Sequence, residues 1–287
     1  MAVDAGFPET ITQTKRRARH VDWVMLVCAT FIVFVVVIAI FAPVLAPHDP
    51  NQVDIHSASQ GPSASHPLGT DVLGRDLLSR LMYGARLSLS GPALIVVIST
   101  VLGTFLAVAA AWMGGWFDGV SSRVLDILFA FPGLIFALLA VAIFGPGLVA
   151  PVIALSIAYL PYDARVLRSV ALRERNLPYI QACYVEGLPT RTITGRHLLP
   201  NIMPFVIVQA TISFGYALVD LAAISYLGLG VAPPASEWGL MVANGQASIL
   251  TGHPQESIYP GLLIVATVVA FNLFGDRLAT RWSVTPK

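Results

Sequence analysis

Five long stretches of this chain contain no charged side chain at all, and they decide which solvent it folds in. They are residues 24–47, 87–117, 127–162, 198–219 and 257–275. A helix of roughly 18 or more apolar residues is long enough to cross a bilayer, and each stretch meets that length. The third is long enough for two crossings. It is interrupted by Phe144-Gly145-Pro146-Gly147, a turn signal, and so reads as a helical hairpin with Asp126 and Asp163 at its two cytoplasmic edges. The expectation is therefore six spans.

Composition agrees. Only 11% of the residues are charged and 56% are hydrophobic, against about 25% charged in a soluble domain. A net charge of +1 gives no case for nucleic acid. Cys28 and Cys183 lie far apart, one in the first apolar run and one in a polar loop, so two reduced thiols are expected and no disulfide or metal pair. The lysines are Lys15 and Lys287, and neither follows the glycines that a nucleotide-binding P-loop requires. ATP, if used, is handled by another chain.

Arginine and lysine accumulate on the cytoplasmic side of a membrane. Lys15, Arg16, Arg17 and Arg19 precede the first run. With the N-terminus inside, fourteen basic residues fall in the cytoplasm, and Arg75, Arg80 and Arg86 fall outside. Both termini are then cytoplasmic. The basic start and Val44-Leu45-Ala46 mimic a cleavable signal peptide, but the apolar run exceeds the usual core of about 7–15 residues, so it reads as a retained span.

Outside, residues 49–70 are rich in Asp, Ser, Pro and His. Residues 71–86 pattern as an amphipathic helix, with Leu73, Leu77 and Leu81 on one face. Asp71–Arg75 and Asp76–Arg80 stand four apart, where ion pairs are expected. That segment either lies at the interface and positions the second span or forms a lip beside a pathway. The second possibility makes Arg75, Asp76 and Arg80 candidate pathway residues. Asp220 at the outer end of the fifth span is another candidate, because an intramembrane carboxylate usually faces the bundle or a water-filled cavity. Trp238 follows a Gly- and Pro-rich stretch and reads as an interfacial anchor.

Inside, residues 165–197 form a polar loop. Residues 179–185 are long enough for two helical turns, Leu188-Pro189 stops them, and Gly187 can take the positive φ that helix ends favour. Ala182 is small enough for another surface to approach closely. Gln181-Ala182-Cys183, Gly187 and Leu199-Pro200 resemble the EAA loop of the membrane subunits of bacterial ABC importers. In that family the loop docks into a separate ATPase. Gln181 stands where the motif has Glu, Cys183 where it has Ala, and His197 where it has an apolar residue. The substitution at Gln181 removes a charge, so the resemblance implies docking by shape rather than by salt bridge.

A longer string narrows the resemblance. His66-Pro67-Leu68-Gly69-Thr70-Asp71, with Leu73-Gly74-Arg75-Asp76 and Ser79-Arg80, is similar to the hallmark of the C-type permease of dipeptide, oligopeptide and nickel importers. Ser225-Tyr226-Leu227-Gly228-Leu229-Gly230, Trp238-Gly239 and Phe271-Asn272-Leu273-Phe274-Gly275-Asp276 continue it. The resemblance implies an all-α polytopic membrane protein of the type I ABC importer permease fold, in a bacterial cytoplasmic membrane. Residues 1–85 would form an N-terminal segment and 86–287 the permease core, with a coupling loop at about 176–197. Implied partners are a B-type permease, two ATP-binding subunits holding ATP and Mg, and an extracytoplasmic substrate-binding protein. Short peptides are the expected cargo, with nickel the rival. No catalytic constellation is expected, since the six histidines are scattered and neither H-E-x-x-H nor G-x-S-x-G occurs. No internal repeat or filter-like loop favours a secondary transporter or a channel.

Overall fold

A computed structural model describes residues 22–283. The basic cluster Lys15, Arg16, Arg17 and Arg19, and Lys287 at the other end, lie outside the described residues. Helices carry the described chain, and its one β contact is an isolated bridge between Thr70 and Asp76. In order they are α1 (Trp23–Leu45), α2 (Leu77–Met113), α3 (Gly115–Phe129), α4 (Gly133–Phe144), α5 (Val149–Arg175), α6 (Pro178–Val185), α7 (Thr190–Thr192), α8 (Leu199–Tyr226), α9 (Trp238–Asn244), α10 (Gln246–Leu250) and α11 (Gln255–Ser283). A π-helical turn, Ile193–Leu198, joins α7 to α8. Pro200, in the first turn of α8, lacks the N–H that would bond the Arg196 carbonyl, which accounts for the irregular hydrogen bonding just ahead of it.

Five helices are long and apolar enough to cross a membrane, and the bent pair α3–α4 passes the same test only when taken together, as a broken span that brings the number to six or as a re-entrant loop. The expected hairpin is corrected in one arm. The turn at Phe144-Gly145-Pro146-Gly147 is present, but the arm before it breaks again and bends by 77° between α3 and α4. Pro132 is the cause, since it donates no hydrogen bond and disfavours helix at Phe131. At 12 residues, or about 18 Å at 1.5 Å per residue, α4 does not cross a hydrocarbon core of about 30 Å alone.

A second correction concerns residues 71–86. No separate amphipathic helix forms there. Asp76 caps α2 by accepting from Ser79 N at 2.8 Å, and the helix then runs unbroken for 37 residues. Its first turns therefore stand outside the membrane on the same rod that crosses it.

The bundle core lies between α2, α5 and α8. On α2 the small residues Ser99, Gly103, Ala107 and Ala111 recur every fourth position and are all buried. That spacing lets backbones approach closely, as helix pairs in lipid require. A Cβ added at Gly103 would come within 3.0 Å of the Asp163 side chain and 3.1 Å of the Ala164 backbone on α5. By contrast, Val27, Val33 and Phe34 on α1 are exposed, as expected of a lipid-facing helix.

Candidate functional site: a coupling helix inside and a locked rim outside

The cytoplasmic segment folds as its residues demand. Pro178 opens α6, where a missing N–H costs nothing. Leu188 N donates to Cys183 O at 3.1 Å and Gly187 N donates to Tyr184 O at 3.0 Å, the paired bonds of a Schellman closure. Gly187 has φ +77°, the left-handed conformation that this closure needs. Ile180, Cys183 and Leu188 pack inward with Leu167, Ala171, Ile193 and Leu198.

The opposite side of α6 has no such cover. Gln181, Ala182 and Val185 are exposed, Val185 at 89%. Gln181 is tied at its amide tip, donating from Nε2 to Arg175 O at 3.3 Å. Pro200 is exposed and Leu199 is partly covered in the first turn of α8. Gln181, Ala182, Cys183 and Gly187 thus share one short element, while Leu199 and Pro200 lie beyond the π turn that packs against it.

Three spans grip α6. The Tyr184 ring stacks on Trp112 at the end of α2, with centroids 5.4 Å apart. The Arg175 guanidinium, at the end of α5, lies over the same indole at 5.5 Å and donates to Ala111 O at 2.5 Å. Tyr179 donates to Glu174 at 2.5 Å and accepts from Asn201 Nδ2 of α8 at 2.6 Å. Burial, reinforced by the Glu174 carboxylate, pushes the Tyr179 phenol up to about 12, so it stays a donor. Arg168 and Arg165 of α5 pair with Asp118 and Asp126 of α3, tying the bent pair to the same framework.

The exterior end is closed by buried charge. Asp71 accepts from Arg75 Nε at 2.6 Å and lies 3.5 Å from Arg80 Nε. The Asp71–Arg75 pairing forms as expected, though in a turn rather than a helix. The expected Asp76–Arg80 pair does not, because Asp76 is engaged by Ser79 and by His66 Nδ1 at 3.0 Å. Arg80 turns instead to Asp71 and donates to Pro50 O at 3.1 Å. Arg75, Asp76 and Arg80 are each at most 5% exposed. They hold the rim together.

Trp238 is likewise a correction. It is 1% exposed and is not an interfacial anchor. Its Nε1 donates to Leu81 O at 3.0 Å and its backbone N to Ser88 Oγ at 2.9 Å. Glu237 caps α9, accepting from Gly239 N and Leu240 N at 2.9 Å each and from Ser88 Oγ at 3.0 Å. A second Schellman closure, Leu229 N to Ile224 O and Gly228 N to Ser225 O, ends α8 and sends the chain into this rim.

Two carboxylates face the bundle. Asp220 does not end its span: α8 continues through the apolar residues 221–224, and Asp220 accepts from Tyr159 Oη of α5 at 2.9 Å. Asp163, expected at a cytoplasmic edge, is fully buried. It accepts from Ser99 and Thr100 of α2 and from Gln209 and Ser213 of α8, the closest at 2.8 Å. The signal for it was present, because Ala164, Leu167 and Ala171 continue one buried stripe of α5 past Asp163.

A helical membrane subunit with one anchored cytoplasmic helix, exposed on its outer side, belongs architecturally with the permeases of ABC importers. The chain belongs to the binding-protein-dependent transport system inner membrane component family, which matches residues 99–282. Residues 22–62 match the N-terminal TM domain of oligopeptide transport permease C. It is 38% identical over 273 residues to the glutathione transport system permease protein GsiD of Escherichia coli O1:K1, covering 95% of this chain and 89% of that one. To the protein of that name from Pectobacterium atrosepticum it is 37% identical over 265 residues, covering 92% and 87%. Among solved structures, an inward-facing MetNI methionine ABC transporter chain shares the fold at a TM-score of 0.57 and 20% identity, over 73% of this chain and 98% of that one. This chain is therefore an inner-membrane permease subunit of an ATP-driven importer, a transport component and not an enzyme. Membership implies ATPase, substrate-binding and second-permease partners.

Proposed function

We propose that this permease forms half of a translocation pathway for short peptides and that α6 is its coupling helix. The observation that carries the coupling role is the contrast between the two sides of α6. Its inner side is packed and bonded to the ends of α2, α5 and α8, while Gln181, Ala182 and Val185 are left outward. A rigid body that seats on those residues moves three spans at once. ATP and Mg bind on two partner ATPases, whose closure pulls on this helix and on its counterpart in a B-type permease. The pathway between the two permeases turns outward and hydrolysis resets it, a population shift driven by differential contacts. An extracytoplasmic binding protein delivers cargo to the rim.

The cargo reading rests on the relatives, whose names specify glutathione and oligopeptide transport. Uptake of labelled glutathione and short peptides against labelled nickel, with and without this subunit, tests it; nickel uptake alone would overturn it. For coupling the test is Gly187→Arg. Nothing lies within 4 Å of the position a Cβ would take, so the new side chain projects outward at a backbone cost of about 1–2 kcal/mol. The variant should assemble in the membrane with ATP hydrolysis retained and uptake lost. Normal uptake would remove the coupling role.

A further inference from the structure

The scattered histidines gave no metal motif in sequence, yet the fold brings two of them together with a carboxylate on the exterior face. His48 follows α1, His66 lies in the loop after it, and Asp76 caps α2. His66 Nδ1 is 3.0 Å from Asp76 Oδ1, and His48 Nδ1 is 3.9 Å from Asp76 Oδ2. One ligand atom from each of the three lies within 4.8 Å of the others. Donors held at about 2.0–2.1 Å by one tetrahedral ion stand roughly 3.3 Å apart. Small side-chain rotations bring these three to that spacing.

The surroundings favour a cation. His48 Nδ1 is buried and makes no hydrogen bond among the described residues, which leaves a polar atom in want of a partner. The cleft in front of it, about 200 Å³, also carries Asp49 and Asp54. The nearby guanidiniums of Arg75 and Arg80 are turned to Asp71. Outer-shell support is in place: Asp76 Oδ2 accepts from Ser79 N and Oγ, and Ser79 Oγ accepts from His48 N at 3.1 Å. Carboxylate ligands are commonly held in this way.

We propose that His48, His66 and Asp76 form a resident site for a first-row transition dication of the zinc class. Two imidazoles and one carboxylate suit such an ion and not calcium or magnesium, which take oxygen ligands. Asp76 Oδ1 coordinates while Oδ2 keeps capping α2. Each imidazole coordinates through Nδ1 and carries its N–H on Nε2. Water from the cleft fills the fourth position. The ion ties the end of α1 and the exterior loop to the start of α2, adding a metal link to a rim otherwise joined by ion pairs.

The test uses the assembled importer in lipid nanodiscs, stripped with EDTA and titrated with zinc chloride. The wild type should bind one more zinc per complex than His48→Gln/His66→Gln, and His48→Gln alone should weaken that zinc by about tenfold or more. Asp76 is untouched, so the helix cap remains, and elution as an intact complex checks assembly. Zinc X-ray absorption on the wild type, which needs no variant, should show a four-coordinate N/O shell with two imidazoles. Equal zinc content in wild type and double variant, or a shell without imidazole, overturns the site.

Discussion

The two ends of this molecule handle exposure in opposite ways. At the exterior rim, Asp71, Arg75, Arg80, Glu237 and Trp238 are almost completely buried and bonded to one another or to α2. At the cytoplasmic end, a helix of eight residues turns Gln181, Ala182 and Val185 outward while its other side is gripped by three spans. Buried ion pairs contribute little net stability but are costly to break. A rim made of them resists deformation. An exposed, firmly mounted helix has the opposite use, since it offers a surface to another body and transmits the load inward. One end is closed by its own side chains, and the other leaves one side of a mounted helix uncovered.

Variants at the two ends should break or sharpen that contrast in a graded order. Asp71→Ala leaves two buried guanidiniums without their carboxylate and should cost about 3–5 kcal/mol, seen as a large fall in thermal stability in detergent. In the middle of the bundle, Asp163→Ala removes an acceptor shared by Ser99, Gln209 and Ser213, leaving Ser213 Oγ without one while Ser99 keeps Val96 O and Gln209 keeps Ser213 Oγ, and should cost about 1–3 kcal/mol by the same measurement. Tyr179→Phe removes the bridge from Glu174 to Asn201 and should cost about 0.5–1.5 kcal/mol, with a partial loss of uptake per ATP hydrolysed. Gln181→Glu restores the charge that the family motif has at this position. If the joint works by shape, uptake should change by less than about twofold, an amount close to the few tenths of a kcal/mol of an exposed charge. A tenfold gain would mean that the joint works by charge.

The residues announced much of this. The uncharged runs place five of the crossings, and Pro178, Gly187 and Leu188 define α6 within a residue or so because local chemistry alone sets a helix start and a Schellman stop. What sequence reading missed depends on packing at long separation. Trp238 read as an anchor because its Gly- and Pro-rich approach looks like an exposed loop, yet Gly84 and Ser88 on α2 make room and a hydrogen bond for it. Asp163 read as an edge because a carboxylate after an apolar run marks the membrane surface, and its donors come from helices about fifty residues or more away. The second bend of the expected hairpin was visible in Pro132, whose effect was masked by the apolar residues on both sides.

The outward side of α6 can be probed directly in the assembled importer. A photo-cross-linking amino acid placed at Val185 should give an adduct with the ATPase subunit, while the same probe at exterior Val72 should give none. Equal yields at the two positions, or no adduct from Val185, would contradict a coupling helix at the cytoplasmic end.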